Sequence, residues 1–174
     1  MNKVVNALGF QAGWWACVSG AGHGFEIESI LFCSLLVCGH LYLSASPWRE
    51  LKLGLFAIGV GIAVDSALQQ LGIIHFDGWA LGPLSPFWLW ALWGIFALTL
   101  NSSLAFLKQQ SLLTSAILGL AFGPVTYYAG ARLGAAALDI TLAHWAALAL
   151  AWMLTMPLLV AAARHITTTT QDNP

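Results

Sequence analysis

The sequence of 174 residues is 59% hydrophobic and only 7% charged, and its mean hydropathy is +0.80. A soluble domain carries about 25% charged residues, so a water-soluble fold of this length would lack the polar side chains that its surface needs. A net charge of −1 with six scattered basic residues also excludes a nucleic-acid-binding surface. The composition therefore indicates a polytopic membrane protein.

Six apolar segments follow one another along the chain, each close to the ~20 residues that cross about 30 Å of hydrocarbon. They cover residues 4–21, 26–46, 51–74, 86–107, 112–133 and 141–163. The connections between them are short and leave no room for a soluble domain. The sequence thus predicts an all-α fold, a compact bundle of six transmembrane helices within residues 1–166. A disordered polar tail is expected at 167–174.

The basic residues predict how the bundle is oriented in the membrane. If the segments alternate in direction, five of the six lie on one side: Lys3, Arg49, Lys52, Lys108 and Arg164. Only Arg132 lies on the other side. Because cytoplasmic loops of membrane proteins carry an excess of lysine and arginine, both termini are expected in the cytoplasm.

Small residues recur at four-residue spacing in the fifth segment. These are Gly119, Gly123, Gly130 and Gly134, which form two GxxxG patterns. Such spacing lets the backbones of two membrane helices approach closely. With a similar run of glycines in the third segment, the pattern places the third and fifth helices at the centre of the bundle. The same glycine face is a candidate surface for a homodimer or another intramembrane partner.

Asp65 is the most informative single residue, because it lies about 20 Å from the cytoplasmic boundary at 1.5 Å per residue. A carboxylate near the middle of a membrane costs at least ~2.5–3.5 kcal/mol and normally has a partner or a function. A chain from Asp65 through Gln69 to Arg132 is geometrically possible. Asp65 is then either a paired carboxyl that holds helices together or a protonatable or ligand-binding group.

The other polar residues form two candidate groups by depth. Those that would line a pocket with Asp65 in the outer half are Gln69, Tyr127, Tyr128, Arg132, His23 and Glu26. Those in an inner layer, about 10–12 Å from the cytoplasm, are Gln11, His40, Asn101 and Ser102. Hydrogen bonds between helices, at ~0.6 kcal/mol each, are the default explanation of the inner layer. Glu26, at the start of the second segment, also suits a helix N-terminus.

The sequence lacks the motifs of several enzyme and cofactor-binding classes. GxSxG, HExxH and glycine-rich phosphate loops are missing, and the five histidines form no cluster. The cysteines, Cys17, Cys33 and Cys38, lie in apolar runs without metal-ligand spacing and are interpreted as small hydrophobic residues. We therefore predict neither a metal nor a cofactor and assign no catalytic residue. The nine tryptophans fit either membrane-interface anchors or an aromatic ligand cage.

The motifs of this chain resemble those of a small bacterial inner-membrane family catalogued only as a domain of unknown function. They are FQAGWW at 10–15, AGHG at 21–24, Asp65, FALTLNSSL at 96–104, and GP at 123–124 followed by YAGARLG at 128–134. The resemblance covers nearly the whole chain. It implies a bacterial inner-membrane location and an association with genes for phospholipid acyl-chain modification. Relatives often carry a histidine in place of Ser102, so the resemblance assigns no acid–base or ligand role to that position.

Three functions are consistent with these features. The first is a lipid-binding protein or auxiliary of acyl-chain modification, in which Asp65 and Arg132 line a laterally open pocket and membrane lipids are the partners. The second is a component that binds or transports a small solute through an outward-facing pocket. The third is a structural scaffold whose polar residues only hold helices together. Whether the protein is an enzyme is left open.

Overall fold

The structure is a computed structural model, and it describes residues 2–139 and 141–168. In that part of the chain it contains six α-helices: α1 (Lys3–His23), α2 (Glu26–Leu43), α3 (Pro47–Gln70), α4 (Phe87–Leu100), α5 (Leu112–Arg132) and α6 (Leu142–Thr168). A 3₁₀ helix, Ala105–Gln109, lies between α4 and α5. Two short strands, β1 (His75–Phe76) and β2 (Ala136–Ala137), complete the described elements.

Four of the helices, α2, α3, α5 and α6, are long and apolar enough to cross a membrane, which indicates a membrane protein. Helix α1 has the necessary length of 21 residues, but polar side chains such as Asn6 and Gln11 lower its mean hydropathy. Helix α4 is strongly apolar but has only 14 residues. At 1.5 Å per residue it is about 21 Å long, less than the ~30 Å hydrocarbon core.

The sequence predicted one continuous helix over 86–107, but α4 ends at Leu100. The hydroxyl of Ser103 donates to Asn6 Oδ1 at 2.6 Å, and the backbone N–H of Ser103 bonds the same atom at 3.2 Å. The amide of Asn101 bonds Glu50 Oε2 at 3.1 Å. Asparagine and serine side chains that bond other groups compete with helical backbone bonding. The chain therefore leaves the helix here and continues as the 3₁₀ turn.

Other helix boundaries also differ from the expected ones, notably the end of α6 and the start of α3. Helix α6 continues to Thr168, into the stretch expected to be a disordered tail; residues 169–174 lie outside the described part. Helix α3 begins at Pro47, four residues earlier than predicted, because proline suits the first helical turn, where its missing N–H costs nothing. Glu50 thereby belongs to the first turn of α3 and is buried, although the sequence suggested a loop residue.

Helix α4 occupies the centre of the bundle, with nine of its 14 residues buried. It packs against α1, α2 and α3 and also touches α6. Helix α5 packs mainly against α6 and lies to the side. The glycine pattern therefore did not identify the central helix.

Two of the small residues of α5, Gly119 and Gly123, pack closely against α6 of the same chain. A Cβ at Gly123 would lie 2.2 Å from the Trp152 ring, and one at Gly119 would lie 2.3 Å from the Trp152 carbonyl oxygen. Only glycine leaves room for these contacts. Gly130, by contrast, has no atom within 4 Å of a Cβ built there, and Gly134 has a φ of +84° in the turn after α5.

A small β-ribbon closes one end of the bundle, which the all-α prediction did not include. Strands β1 and β2 pair antiparallel, with His75 opposite Ala137 and Phe76 opposite Ala136. They join the α3–α4 connection to the α5–α6 connection, and the side chain of Phe76 is buried beneath them. Two-residue strands leave no alternating pattern that a sequence could reveal.

Candidate functional site

An apolar cavity of about 440 Å³ lies between α1 and α4 on one side and α5 and α6 on the other. Its volume is within the ~300–1,000 Å³ of ligand-binding pockets. One face of α4 forms a wall of the cavity through Trp88, Leu89, Leu92, Trp93 and Phe96. Trp88 and Phe96 are eight residues apart, so this wall is about 12 Å long.

The cavity extends from the β-ribbon to the 3₁₀ helix and reaches the surface. Phe76 of the β-ribbon lines one end, and Leu107 of the 3₁₀ helix lines the other. Three lining residues, Phe106, Phe122 and Thr126, are exposed. Because α1 packs against α2 and α4 whereas α5 packs against α6, the exposed lining residues place the mouth between α1 and α5.

Asp65 lies behind the wall of this cavity and is completely buried. Its Oδ2 accepts a hydrogen bond from Trp93 Nε1 at 2.7 Å, and its Oδ1 accepts one from Tyr127 Oη at 2.5 Å. Both donors line the cavity, whereas Asp65 does not. The carboxyl therefore ties α3, α4 and α5 together and fixes the position of two cavity side chains.

Aromatic stacking extends this arrangement to α6. The rings of Trp93 and Trp152 are stacked, with centroids 5.2 Å apart and an interplanar angle of 10°. Tyr127 meets Trp152 edge-on at 6.2 Å. On the far side, a Cβ at Gly61 of α3 would lie 2.2 Å from the Trp93 ring. Glycine one turn before Asp65 thus makes room for the indole that bonds its carboxyl.

The predicted chain from Asp65 through Gln69 to Arg132 is not formed. Gln69 Oε1 accepts the backbone N–H of Phe76 at 3.2 Å instead. Arg132 is exposed in the last turn of α5, and Tyr128 faces Trp145 with ring centroids 6.2 Å apart. Neighbouring side chains on a helix point about 100° apart. Because Tyr127 points into the cavity, Tyr128 points away from it.

The remaining candidates for an outward-facing pocket also have other partners. His23 is exposed, and its Nδ1 lies 2.9 Å from the Ser19 carbonyl oxygen. Glu26 is buried, and its Oε2 accepts the backbone N–H of Trp79 at 2.8 Å. Tyr127 lines the apolar cavity. The other residues proposed for that pocket do not line it: His23, Glu26, Gln69, Tyr128 and Arg132.

Three residues of the predicted inner layer, His40, Asn101 and Ser102, line one pocket together with Glu50. Glu50 was not among the candidates from the sequence. Asn101 Nδ2 donates to Glu50 Oε2 at 3.1 Å, and His40 Nε2 lies 3.7 Å from the same oxygen. Ser102 lines the same pocket of about 170 Å³ as these three residues. Gln11 is exposed on α1 and is not part of it.

Lys108 extends this polar group on the 3₁₀ helix, because its Nζ donates to Asn101 Oδ1 at 2.8 Å. Burial lowers the pKa of the Lys108 ammonium, and the charge of Glu50 acts in the opposite direction. The lysine is thus held near the carboxylate through the amide of Asn101.

Sequence reasoning identified Asp65 but missed the aromatic walls of the cavity in front of it. Trp14, Trp88, Trp93 and Trp152 all line the cavity, so the aromatic-cage interpretation describes these four better than interface anchoring. Trp48 and Trp79 are exposed, as anchors are. The available signal was the number of tryptophans, which does not show which of them face inward.

The described residues contain no group of three or more His, Cys, Asp or Glu side chains placed to hold a metal ion. The buried thiols of Cys17 and Cys33 lie 3.3 Å apart between α1 and α2. They are free cysteines packed in the core.

Comparison with other proteins identifies the chain by its family. No curated protein and no solved structure matches it. A family model does match, and it covers residues 3–158, from the first turn of α1 to the second half of α6. The chain therefore belongs to the family described as Protein of unknown function (DUF2878).

Proposed function

We propose that this protein binds the hydrocarbon chain of a membrane lipid in the apolar cavity beside α4. The observation that carries the proposal is the cavity itself: about 440 Å³, lined almost entirely by aromatic and aliphatic side chains, with exposed residues at a side mouth. A lipid chain can enter such a cavity from the bilayer without crossing water.

The chemistry of the wall favours hydrocarbon over a polar solute. Four of its polar side chains have partners inside the protein: Trp93 and Tyr127 donate to Asp65, Trp88 Nε1 donates to the Asp77 carbonyl, and Thr126 donates to the Phe122 carbonyl. The buried Nε1 of Trp152 has no partner among the described residues, so the lining offers a ligand one buried unpartnered donor. A polar ligand would lose its hydration without gaining hydrogen bonds from the four partnered groups. An acyl or isoprenoid chain has no polar group whose hydration would be lost on entering.

In this proposal Asp65 is a positioning residue. It does not reach the cavity, but it holds the indole of Trp93 and the phenol of Tyr127 at its wall. The proposed setting is a bacterial inner membrane, with six spans and both termini in the cytoplasm, as the basic residues favour. The biological role would be auxiliary to the modification of lipid acyl chains.

The proposal can be tested by filling the cavity. Gly130 lines it, and a Cβ at Gly130 meets no atom within 4 Å, so Gly130→Leu adds a side chain to the cavity wall at a position where its Cβ has free space. Gly59 of α3 is the matched control, since it is exposed, has the same free space and does not line the cavity. Native mass spectrometry with lipid analysis is applied to wild type, Gly130→Leu and Gly59→Leu after mild extraction.

We expect a discrete lipid on the wild type and on Gly59→Leu, and a several-fold lower occupancy on Gly130→Leu. Equal occupancy in all three proteins would show that the bound lipid lies elsewhere. A wild type that carries no lipid and binds none on addition would contradict the proposal and favour the structural scaffold.

A further inference from the structure

A second pocket, of about 170 Å³, lies at the end of the bundle where α2 ends and α3 begins. Lys3, His40, Ser44, Glu50, Asn101 and Ser102 supply its polar lining. It shares no lining residue with the apolar cavity. The segment after α4 separates the two, because Leu104 and Leu107 line the apolar cavity while Asn101 and Ser102 line the polar pocket.

Two buried polar atoms in this pocket have no hydrogen-bond partner among the described residues. They are His40 Nδ1 and Ser102 Oγ. His40 is 6% exposed and Ser102 is 9% exposed, so neither side chain is satisfied by an open surface. Buried polar atoms in folded proteins are nearly always paired, and an unpaired one needs an explanation such as a missing ligand.

The charge of the pocket favours an anion. Lys3 lines it as an exposed ammonium group, and Lys108 approaches through Asn101. The one carboxylate of the lining, Glu50, is already engaged at Oε2 by Asn101 and faces His40 Nε2. The lining itself carries one lysine and one glutamate, and Lys108, which bonds Asn101 from outside the lining, adds a second positive charge nearby.

The unpartnered atoms match the oxygen atoms of a phosphate group. The Ser102 hydroxyl and the Lys3 ammonium are donors to an oxyanion. His40 Nε2 lies 3.7 Å from the Glu50 carboxylate, and the other ring nitrogen, Nδ1, has no partner among the described residues. An imidazole N–H at Nδ1 is a donor to a phosphate oxygen.

We propose that the pocket formed by Lys3, His40 and Ser102 binds a phosphate group, carried by a phospholipid headgroup or by free phosphate. This site is independent of the lipid-chain cavity, since the two have separate walls. The pocket therefore gives the protein a second binding function, directed at charge rather than at hydrocarbon.

The test uses the full chain in a phosphate-free maltoside detergent. Inorganic phosphate is titrated calorimetrically, and phosphatidic acid is compared with diacylglycerol of the same acyl chains by native mass spectrometry. The variants are Ser102→Ala and Lys3→Gln. Ser115→Ala is the matched control, because Ser115 Oγ is likewise buried and unpartnered but lies on α5, away from the pocket. Lys52→Gln controls for the loss of an exposed lysine.

We expect the wild type to prefer phosphatidic acid over diacylglycerol, and Ser102→Ala and Lys3→Gln each to weaken that binding about tenfold, as loss of a charged hydrogen bond does. Ser115→Ala and Lys52→Gln should bind like the wild type. Binding of phosphatidic acid without inorganic phosphate would assign the site to a headgroup, and binding of both would assign it to phosphate from either source. No preference over diacylglycerol together with no phosphate binding, or equal losses in the control variants, would overturn the proposal.

Discussion

Asp65 and His40 are both almost completely buried, but they differ in what surrounds them. Asp65 accepts hydrogen bonds from Trp93 and Tyr127, so each of its oxygens has a partner inside the chain. His40 and its neighbour Ser102 each leave a buried atom without a partner among the described residues. A buried polar group that is satisfied within the chain holds helices together, whereas an unsatisfied one on a pocket-lining residue, such as His40 or Ser102, is available to a ligand. Depth in the membrane alone did not separate these two cases.

The largest effect should follow from removing the central acceptor. Asp65→Ala leaves Trp93 Nε1 and Tyr127 Oη buried without an acceptor, and we expect a loss of about 2–3 kcal/mol in the free energy of unfolding. Asp65→Asn keeps one acceptor oxygen and should lose about half as much. Unfolding by denaturing detergent in mixed micelles measures both. Exposed Glu28→Ala is the control, and an Asp65→Ala protein as stable as this control would refute the structural role.

A smaller loss is expected where the Trp152 ring meets α5. Gly123→Ala places a methyl group about where the ring now lies, and should destabilise by about 1–3 kcal/mol despite the better helix propensity of alanine. Gly59→Ala has free space and should be neutral or slightly stabilising. The double variant Gly123→Ala with Trp152→Ala should lose less unfolding free energy than the sum of the losses in the two single variants. Strict additivity would mean that the two side chains do not meet.

The smallest effect should distinguish a partnered serine from an unpartnered one. The hydroxyl of Ser29 lies 2.7 Å from the Ala16 carbonyl oxygen and 2.8 Å from that of Phe25, so Ser29→Ala should cost about 1 kcal/mol. Ser102→Ala removes no hydrogen bond made within the described chain, and the change should stay within about 0.5 kcal/mol. The same unfolding assay without added ligand measures both. Equal losses would show that Ser102 has a structural partner.

Much of the fold could be predicted from apolar run length. The runs gave six helices, and most boundaries differ by only a few residues. The break after Leu100 was missed because Asn101 and Ser102 lie within an apolar window, and only their tertiary partners show that they leave the helix. The β-ribbon was missed because its strands have two residues each.

The candidate site was predictable in its centre but not in its surroundings. Asp65 stood out because a carboxylate at that depth requires a partner. Its partners lie 28 and 62 residues away, and their identity depends on how α4 and α5 are rotated about their axes. Apolar run length contains no information on the rotation of a helix. Gln69 was therefore favoured by its position one turn after Asp65 on α3, and Arg132 by its depth in the membrane. Tyr127 was among the candidates, whereas Trp93 was only one of nine tryptophans that fit either interface anchors or an aromatic cage.

The most direct test of the central claim is to locate a lipid chain in the protein. Crystals are grown with a phospholipid whose acyl chain carries bromine, and the bromine atoms are located by anomalous scattering. We predict bromine inside the cavity between α1 and α5, in contact with the aromatic wall that includes Trp93 and Tyr127. Bromine confined to the outer surface of the helices, with the cavity filled by neighbouring side chains, would contradict the account.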